Sequence, residues 1–199
     1  MRELPILMSG PLVRAVLSGQ KTQTRRPIKR ENKPDPGFEW AECLCREIDP
    51  SDTPCCTCEA RFPGIASAGD RLWVRETWTA AMHEPTGPAD CLYRADDNGG
   101  VEDLAEAKWT PSIHMPRWAS RITLPLVSVR VERVQSISEG DAIAEGLRRS
   151  DYGWTDGISG YDTVSAREAF RELWDSIYGT WDANPWVAVY EWGQIEVNR

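Results

Sequence analysis

The sequence has no long hydrophobic run, few histidines, and fewer basic than acidic residues. None of its apolar stretches approaches the roughly 20 residues that a helix needs to cross a bilayer. The apolar segment at 4–8 is too short for the core of a signal peptide, and it follows a single basic residue, Arg2. These shortages predict a cytoplasmic protein that has no membrane partner.

Histidine is scarce, with His83 and His114 as the two examples. His83 lies in a variable stretch, and His114 is as consistent with a structural role as with ligand contact. No cluster of Asp, Glu and His in the sequence offers the ligands of a catalytic metal. The pattern therefore disfavours a metal-dependent ribonuclease.

The charge balance is acidic, because 31 Asp and Glu residues outnumber 23 Lys and Arg residues and give a net charge of −8. A protein that holds long nucleic acids through their phosphates needs a broad basic surface. The composition therefore predicts weak binding to long nucleic acids and favours a small neutral substrate. A basic segment at 21–33 leaves a local nucleic-acid contact open.

The length of 199 residues fits one domain, and contents of 41% hydrophobic and 27% charged residues are typical of a globular protein. Ten tryptophans are many for this length. Most of them are expected in the core, where a large ring buries much apolar surface, and others could line a pocket that stacks a flat ligand.

Three helices are predicted, at 9–19, at 138–146 and from Ser165 onward. Pro11 suits a first turn, and a glycine stands where each of the first two helices ends. Ser165 and Glu168 have the spacing of a capping box, and an apolar stripe follows it as far as Ile177.

Strands are predicted at 71–78, 121–134 and 186–192. Within the second of these, the hydrophobic phase changes at Leu126–Val127, which indicates a bulge or a bend. Stretches at about 30–66 and 82–108 are rich in Gly, Pro and acidic residues, and are predicted to be irregular, exposed insertions. Strands and helices without strict alternation indicate an α+β fold built on a small barrel.

The segment 16–26, with the sequence VLSGQKTQTRR, carries the most specific signal in the chain. A helix end, a Gly, a Lys-Thr pair and a second Thr before Arg resemble the signature of the ASCH family. Residues 69–78 and 114–121 resemble a longer group of that family that is frequent in bacteriophage genomes, and 137–145 matches the helix of the family pattern. The resemblance implies a single ASCH-like domain with a PUA-like β-barrel fold, interrupted by the two insertions.

The resemblance also implies an activity. Some small ASCH proteins are amidohydrolases that remove the acetyl group from N4-acetylcytidine with a Lys, a Thr and a Glu. These fall on Lys21, Thr24 and Glu145 in this sequence. Other ASCH proteins are thought to bind RNA, so the alternative is a module that binds RNA or modified nucleic acid without turnover.

The three residue types suit amide hydrolysis. A threonine hydroxyl attacks a carbonyl only when a base takes its proton, and a neutral lysine amine can do so. The ordinary pKa of lysine is about 10.4, so Lys21 must be desolvated or lie near other cations, such as Arg25 and Arg26. Glu145 could move the proton to the leaving nitrogen or orient the lysine. No cofactor is needed. Positions three apart share a face in a tight turn and lie on opposite faces in a strand, so this mechanism expects a turn at Thr24.

Four further residues are candidates for substrate binding: Arg26, Glu76, Trp78 and Trp118. Arg26 could bind a phosphate or a ribose, or pair with a carboxylate. The tryptophans could stack a base, although core packing is the commoner role of a tryptophan.

Five of the six cysteines fall in the first insertion. Because cytoplasmic thiols stay reduced, such clustering favours a metal over a disulfide. Cys43, Cys45, Cys55 and Cys58 are candidate ligands of a structural zinc, although their spacing departs from the usual Cys-x-x-Cys pair and free thiols are the alternative. Cys91 stands alone.

The insertion at 43–58 is predicted to be a zinc loop away from the reacting groups. Metal analysis should find about one zinc per chain, and chelation should lower stability more than turnover, because the metal holds a loop without its own core. Cys55→Ser should lose the metal, whereas the control Cys91→Ser should keep it. Purified protein that is free of metal and equally stable would contradict the zinc hypothesis.

Overall fold

A six-stranded sheet, two small hairpin pairings and three α-helices form the part of the chain that the computed structural model describes, residues 1–28, 65–81, 85–96, 108–155 and 162–198. The strands are β1 (Glu3–Leu7), β2 (Gln23–Pro27), β3 (Arg71–Arg75), β4 (Trp78–Ala80), β5 (Cys91–Tyr93), β6 (Ile122–Arg133), β7 (Arg148–Arg149), β8 (Trp154–Thr155), β9 (Trp186–Trp192) and β10 (Glu196–Val197). The α-helices are α1 (Gly10–Leu17), α2 (Glu139–Ala144) and α3 (Ala166–Tyr178). This composition confirms the predicted mixed α+β class.

The main sheet has the strand order β1-β3-β6-β9-β2, and β10 also pairs with β6. The β1–β3 pair is parallel, and the other pairs are antiparallel. In the described residues no pairing joins β1 to β2, so the sheet is open there and a closed barrel is not seen. Among the same residues, no α-helix is long and apolar enough to cross a membrane.

Strand β6 is the long central strand, and it changes partner along its length. Its first half pairs with β3 and its second half pairs with β9. The register shifts between Leu126 and Ser128, which confirms the predicted irregularity, and Val127 is exposed at that point. The shift resets which side chains face each side of the sheet.

Helix α1 packs against one face of the sheet. Leu12, Val13 and Val16 are buried there, in a core shared with β1, β3 and β6. Pro11 lies in the first turn as predicted, but the Ser9 side chain makes no capping hydrogen bond. The helix ends before Gly19, whose φ of 75° turns the chain toward β2.

Helix α3 packs against the opposite face. Phe170, Leu173 and Trp174 are buried against Val187 and Val189 of β9, as the predicted apolar stripe requires. The stripe stops earlier than predicted, because Ile177 is 50% exposed.

Two other expectations are corrected by the structure. The predicted strand 71–78 ends at Arg75, and a separate short strand begins at Trp78. The stretch 82–108 was expected to be exposed, yet Cys91 and Tyr93 of β5 are buried. They pair with β4 and pack with Trp78, Met115 and Ala119 in a small separate core.

The N-terminus of α3 is capped from two directions. The Ser165 hydroxyl accepts from the Glu168 N–H at 3.1 Å, which is one half of the predicted capping box. The carboxylate of Glu139, on α2, accepts from the Ala166 N–H at 3.0 Å and the Arg167 N–H at 3.4 Å. A carboxylate at this end also interacts favourably with the helix dipole.

The two caps of α3 should contribute separately to stability. Ser165→Ala and Glu139→Ala should each lower the free energy of unfolding by about 1 kcal/mol, because each leaves helix N–H groups without an acceptor. Glu168→Ala is the control, and its effect should be smaller since its side chain makes no hydrogen bond with a described residue. Denaturant unfolding measures all three. A Glu139→Ala effect no larger than that of Glu168→Ala would contradict the cap from α2.

Candidate active site

Lys21 is held between the ends of two helices. Its N–H donates to the Ala15 carbonyl of α1 at 2.9 Å, and the next N–H, of Thr22, donates to the Ala144 carbonyl of α2 at 2.9 Å. Gly146, with φ of 101°, allows this close approach, since a Cβ there would lie 3.1 Å from the Lys21 Cβ. The backbone therefore delivers Lys21 directly beside the C-terminal end of α2.

The side chain of Lys21 meets Glu145 at that end. The Lys21 Nζ donates to the Glu145 backbone carbonyl at 2.6 Å and to its carboxylate Oε2 at 2.8 Å. Lys21 is 2% exposed and Glu145 is 3% exposed. The structure thus brings together two of the three residues that the sequence assigned to catalysis.

Arg25 shares the same carboxylate. Its Nη1 donates to Glu145 Oε1 at 3.0 Å, its Nη2 donates to Glu132 Oε1 at 2.6 Å, and the same Nη2 lies 3.3 Å from Asp141 Oδ2. The Arg25 side chain is completely buried. One guanidinium therefore joins β2 to β6 and to α2.

A second arginine extends the network toward the surface. Arg130 Nη2 donates to Asp141 Oδ1 at 2.9 Å, and its Nη1 donates to Glu191 Oε1 at 2.6 Å. Gln23 donates to the Asp141 carbonyl at 2.7 Å. The connected cluster holds three basic side chains (Lys21, Arg25, Arg130) and four carboxylates (Glu132, Asp141, Glu145, Glu191).

The pKa of Lys21 is lowered from its ordinary value, chiefly because burial removes the ammonium from water. Glu145 opposes this shift, while the positive charges of Arg26 and Arg25 add to it. Since the Glu145 carboxylate is divided between Lys21 and Arg25, it cannot fully compensate the lysine. The predicted effect of the two neighbouring arginines is confirmed in direction, and the neutral amine becomes accessible at lower pH.

Thr24 lies in β2, opposite Tyr190 of β9. The expected turn would bring Lys21 and Thr24 to one face. Because β2 already begins at Gln23, Thr24 lies in the strand and not in a turn. Side chains alternate in a strand, so Thr24 faces away from the side on which Gln23 and Arg25 contact α2. Thr24 is 1% exposed, and its hydroxyl forms no hydrogen bond with Lys21, Glu145 or another described residue.

The remaining candidates lie outside the Lys21–Glu145 pair. Arg26 donates to the Tyr178 hydroxyl and to the Leu7 carbonyl, on the Thr24 side of β2. Glu76 is buried in a two-pronged ion pair with Arg121, at 2.9 and 3.0 Å. Burial raises the pKa of Glu76 although Arg121 opposes the shift.

The two tryptophans differ in exposure. Trp78 is buried in the small core around β5, so its role is packing, whereas Trp118 is 42% exposed. Their rings meet edge to face, with centroids 5.4 Å apart. A base could therefore stack on Trp118 but not on Trp78.

The proposed zinc ligands Cys43, Cys45, Cys55 and Cys58 lie outside the described residues, and so does His83. Within the described ranges, no group of three or more His, Cys, Asp or Glu residues is arranged to hold a metal ion. His114 is exposed, and Cys91 is buried with its thiol pKa raised by burial.

Sequence reasoning missed the centre of the cluster. The sequence indicates an effect of Arg25 on Lys21 but not the contacts of Arg25 with three carboxylates. The sequence does carry one signal of this cluster, because polar residues two apart on a buried strand share one face. Such pairs are Gln23 with Arg25 and Arg130 with Glu132.

Comparison with known proteins adds no relative to this picture. No protein-family model, no curated protein and no solved structure matches the chain.

The lowered pKa of Lys21 makes a prediction about stability. Below about pH 10.4 the unfolded chain holds this proton more tightly than the folded chain, so Lys21 should favour folding more as the pH rises. The unfolding free energy of the wild type should therefore rise relative to that of Lys21→Met between pH 7 and about 10.4. Denaturant unfolding across that range tests the sign, and the opposite slope would show that Glu145 raises the pKa instead.

Proposed function

We propose that this protein is an ASCH-type amidohydrolase that removes the acyl group from N4-acylated cytosine or cytidine, on a PUA-like fold. The observation that supports this most directly is the buried contact between Lys21 and Glu145, at 2.8 Å, with the lysine pKa lowered. Perturbed, paired groups of this kind are common at catalytic sites. The pairing joins residues 124 positions apart in the sequence, and they are the two residues to which the family resemblance assigns the catalytic Lys and Glu.

The geometry at Lys21 suits a general base. A neutral amine has two N–H groups and one lone pair, and Glu145 supplies two acceptors, its carbonyl and its carboxylate. Both N–H groups can then be held by Glu145, which leaves the lone pair to accept a proton from a hydroxyl. In the proposed mechanism the carboxylate, 2.8 Å from Nζ, then receives that proton from the lysine.

Two nucleophiles are available to the proposed reaction. By the family resemblance Thr24 Oγ attacks the acyl carbon, the C–N bond breaks as a proton passes to the exocyclic nitrogen, and water then hydrolyses the threonine ester; because Thr24 faces away from Lys21, this route requires β2 to rearrange. In the other route Lys21 takes a proton from a water that attacks the acyl carbon, and the C–N bond breaks as a proton passes through Glu145 to the exocyclic nitrogen. Thr24 has the least support from contacts, so its substitution decides between a threonine nucleophile and a water activated by Lys21.

A second candidate is a module that binds RNA or modified nucleic acid without turnover. Arg75 and Arg117 lie over the Trp73 ring, at 5.5 and 5.9 Å from its centroid, and Trp118 is exposed. Arginine and exposed aromatic rings are the usual elements of single-strand recognition. The net charge of −8 and the ion pair of Arg117 with Glu3 weigh against this alternative.

Release of cytidine from N4-acetylcytidine tests the proposed function. Lys21→Arg should lower turnover by several orders of magnitude, because a guanidinium stays charged and cannot act as the base. Thr24→Ala and Glu145→Gln should each be strongly impaired. Lys21→Ala combined with Thr24→Ala should be little worse than either alone if the two act as one unit.

The chain provides matched controls for these variants. Lys108→Arg and Thr22→Ala change exposed residues of the same types and should keep wild-type turnover. Near-full activity of Lys21→Arg would refute the mechanism. A wild type that is inactive on every N4-acylcytosine, and that binds mixed-sequence RNA below micromolar at about 150 mM salt, would favour the binding module instead, since non-specific binding is usually weaker than that.

A further inference from the structure

A cavity of about 1030 Å³ lies on the Thr24 side of the sheet, among β1, the start of α1, the end of α3 and β9. Its wall is largely apolar, with Leu4, Leu72 and Leu173 among the lining residues, and Arg26 and Arg75 supply its charge. Among the described residues that line it there is no Asp or Glu, although the chain carries a net charge of −8. Its size is that of a pocket for a small organic molecule.

The two arginines of this cavity differ from the other enclosed arginines. Seven arginines in the described residues are buried or half-buried. Five of them pair with carboxylates: Arg25, Arg71, Arg117, Arg121 and Arg130. Arg26 and Arg75, the two that line the cavity, form no ion pair with a described carboxylate.

Their contacts hold them in place without neutralising them. Arg26 donates to the Leu7 carbonyl at 2.6 Å and to the Tyr178 hydroxyl at 3.3 Å. Arg75 donates to the Ile113 carbonyl, and its Nε is buried without a hydrogen-bond partner in the described residues. A partly desolvated guanidinium without a counter-charge is costly, and an anion nearby would offset that cost.

We propose that this cavity binds a small organic anion, whose phosphate or carboxylate meets Arg26 and Arg75 and whose apolar or aromatic body fills the rest. Guanidinium groups bind both kinds of oxyanion in a two-pronged geometry. The partial exposure of Ile177, which lines the cavity on α3, is then explained by contact with that body. The inference does not depend on the proposed hydrolysis, because neither Lys21 nor Glu145 lines the cavity.

Calorimetry with matched charged and neutral probes tests the inference on the full chain at about 150 mM salt. Cytidine 5′-monophosphate is compared with cytidine, and octanoate is compared with octanol. In at least one pair the anion should bind about tenfold more tightly than its neutral partner, as expected for a hydrogen-bonded charge. Tighter binding of cytidine 5′-monophosphate than of cytidine would identify the ligand as a phosphate on a ring. Tighter binding of octanoate than of octanol would identify it as a carboxylate on an apolar chain.

Variants then locate the binding. Arg26→Gln and Arg75→Gln should each remove most of the preference for the anion, while Arg148→Gln, an exposed arginine outside the cavity, should keep it. Ser176→Glu leaves both arginines intact and places a carboxylate on the cavity wall, so it should also weaken binding of the anion. Equal affinity for charged and neutral probes, or a preference that survives Ser176→Glu and both arginine substitutions, would overturn the proposal.

Discussion

The described structure depends on the ion pairs of Arg25, whose guanidinium is completely buried. It contacts carboxylates from two separate elements, Glu132 on β6 and both Asp141 and Glu145 at α2. Without it, the buried Glu145 carboxylate would lose one of its two basic partners and would lie beside the partly buried carboxylates of Glu132 and Asp141. Breaking a buried pair typically costs about 3–5 kcal/mol. Because Glu145 is fixed by Arg25, its second oxygen has a fixed position, and that oxygen is the one that meets Lys21.

The sequence was informative wherever the signal is local. The strand at 186–192, the irregularity near Val127 and the Ser165 cap all appear in the structure as predicted, since turn chemistry and hydrophobic period act over a few residues. The parallel pairing of β1 with β3 was not foreseen. This pairing joins segments about 68 residues apart, and the sequence of neither strand indicates its partner.

The candidate site shows the same division. Arg25 is 107 residues from Glu132 and 120 from Glu145, so no window of sequence shows the cluster. Lys21 and Glu145 could be chosen together through family resemblance, which carries long-range information that periodicity does not. The spacing of Lys21 and Thr24 fits a turn and a strand equally well, and pairing with β9 decides for the strand at Thr24.

Strand β2 separates two different environments. Gln23 and Arg25 face the closed charge cluster, while Arg26 and Tyr190, the partner of Thr24, face the open cavity. A shift of one residue in the pairing of β2 with β9 would exchange the side chains on its two faces and would move Arg25 away from the three carboxylates that it contacts. The buried ion pairs therefore select the register of β2, whatever their net contribution to stability. In this register Arg25 pairs with the protein's own carboxylates, and Arg26 lines the cavity that we propose for an anionic ligand.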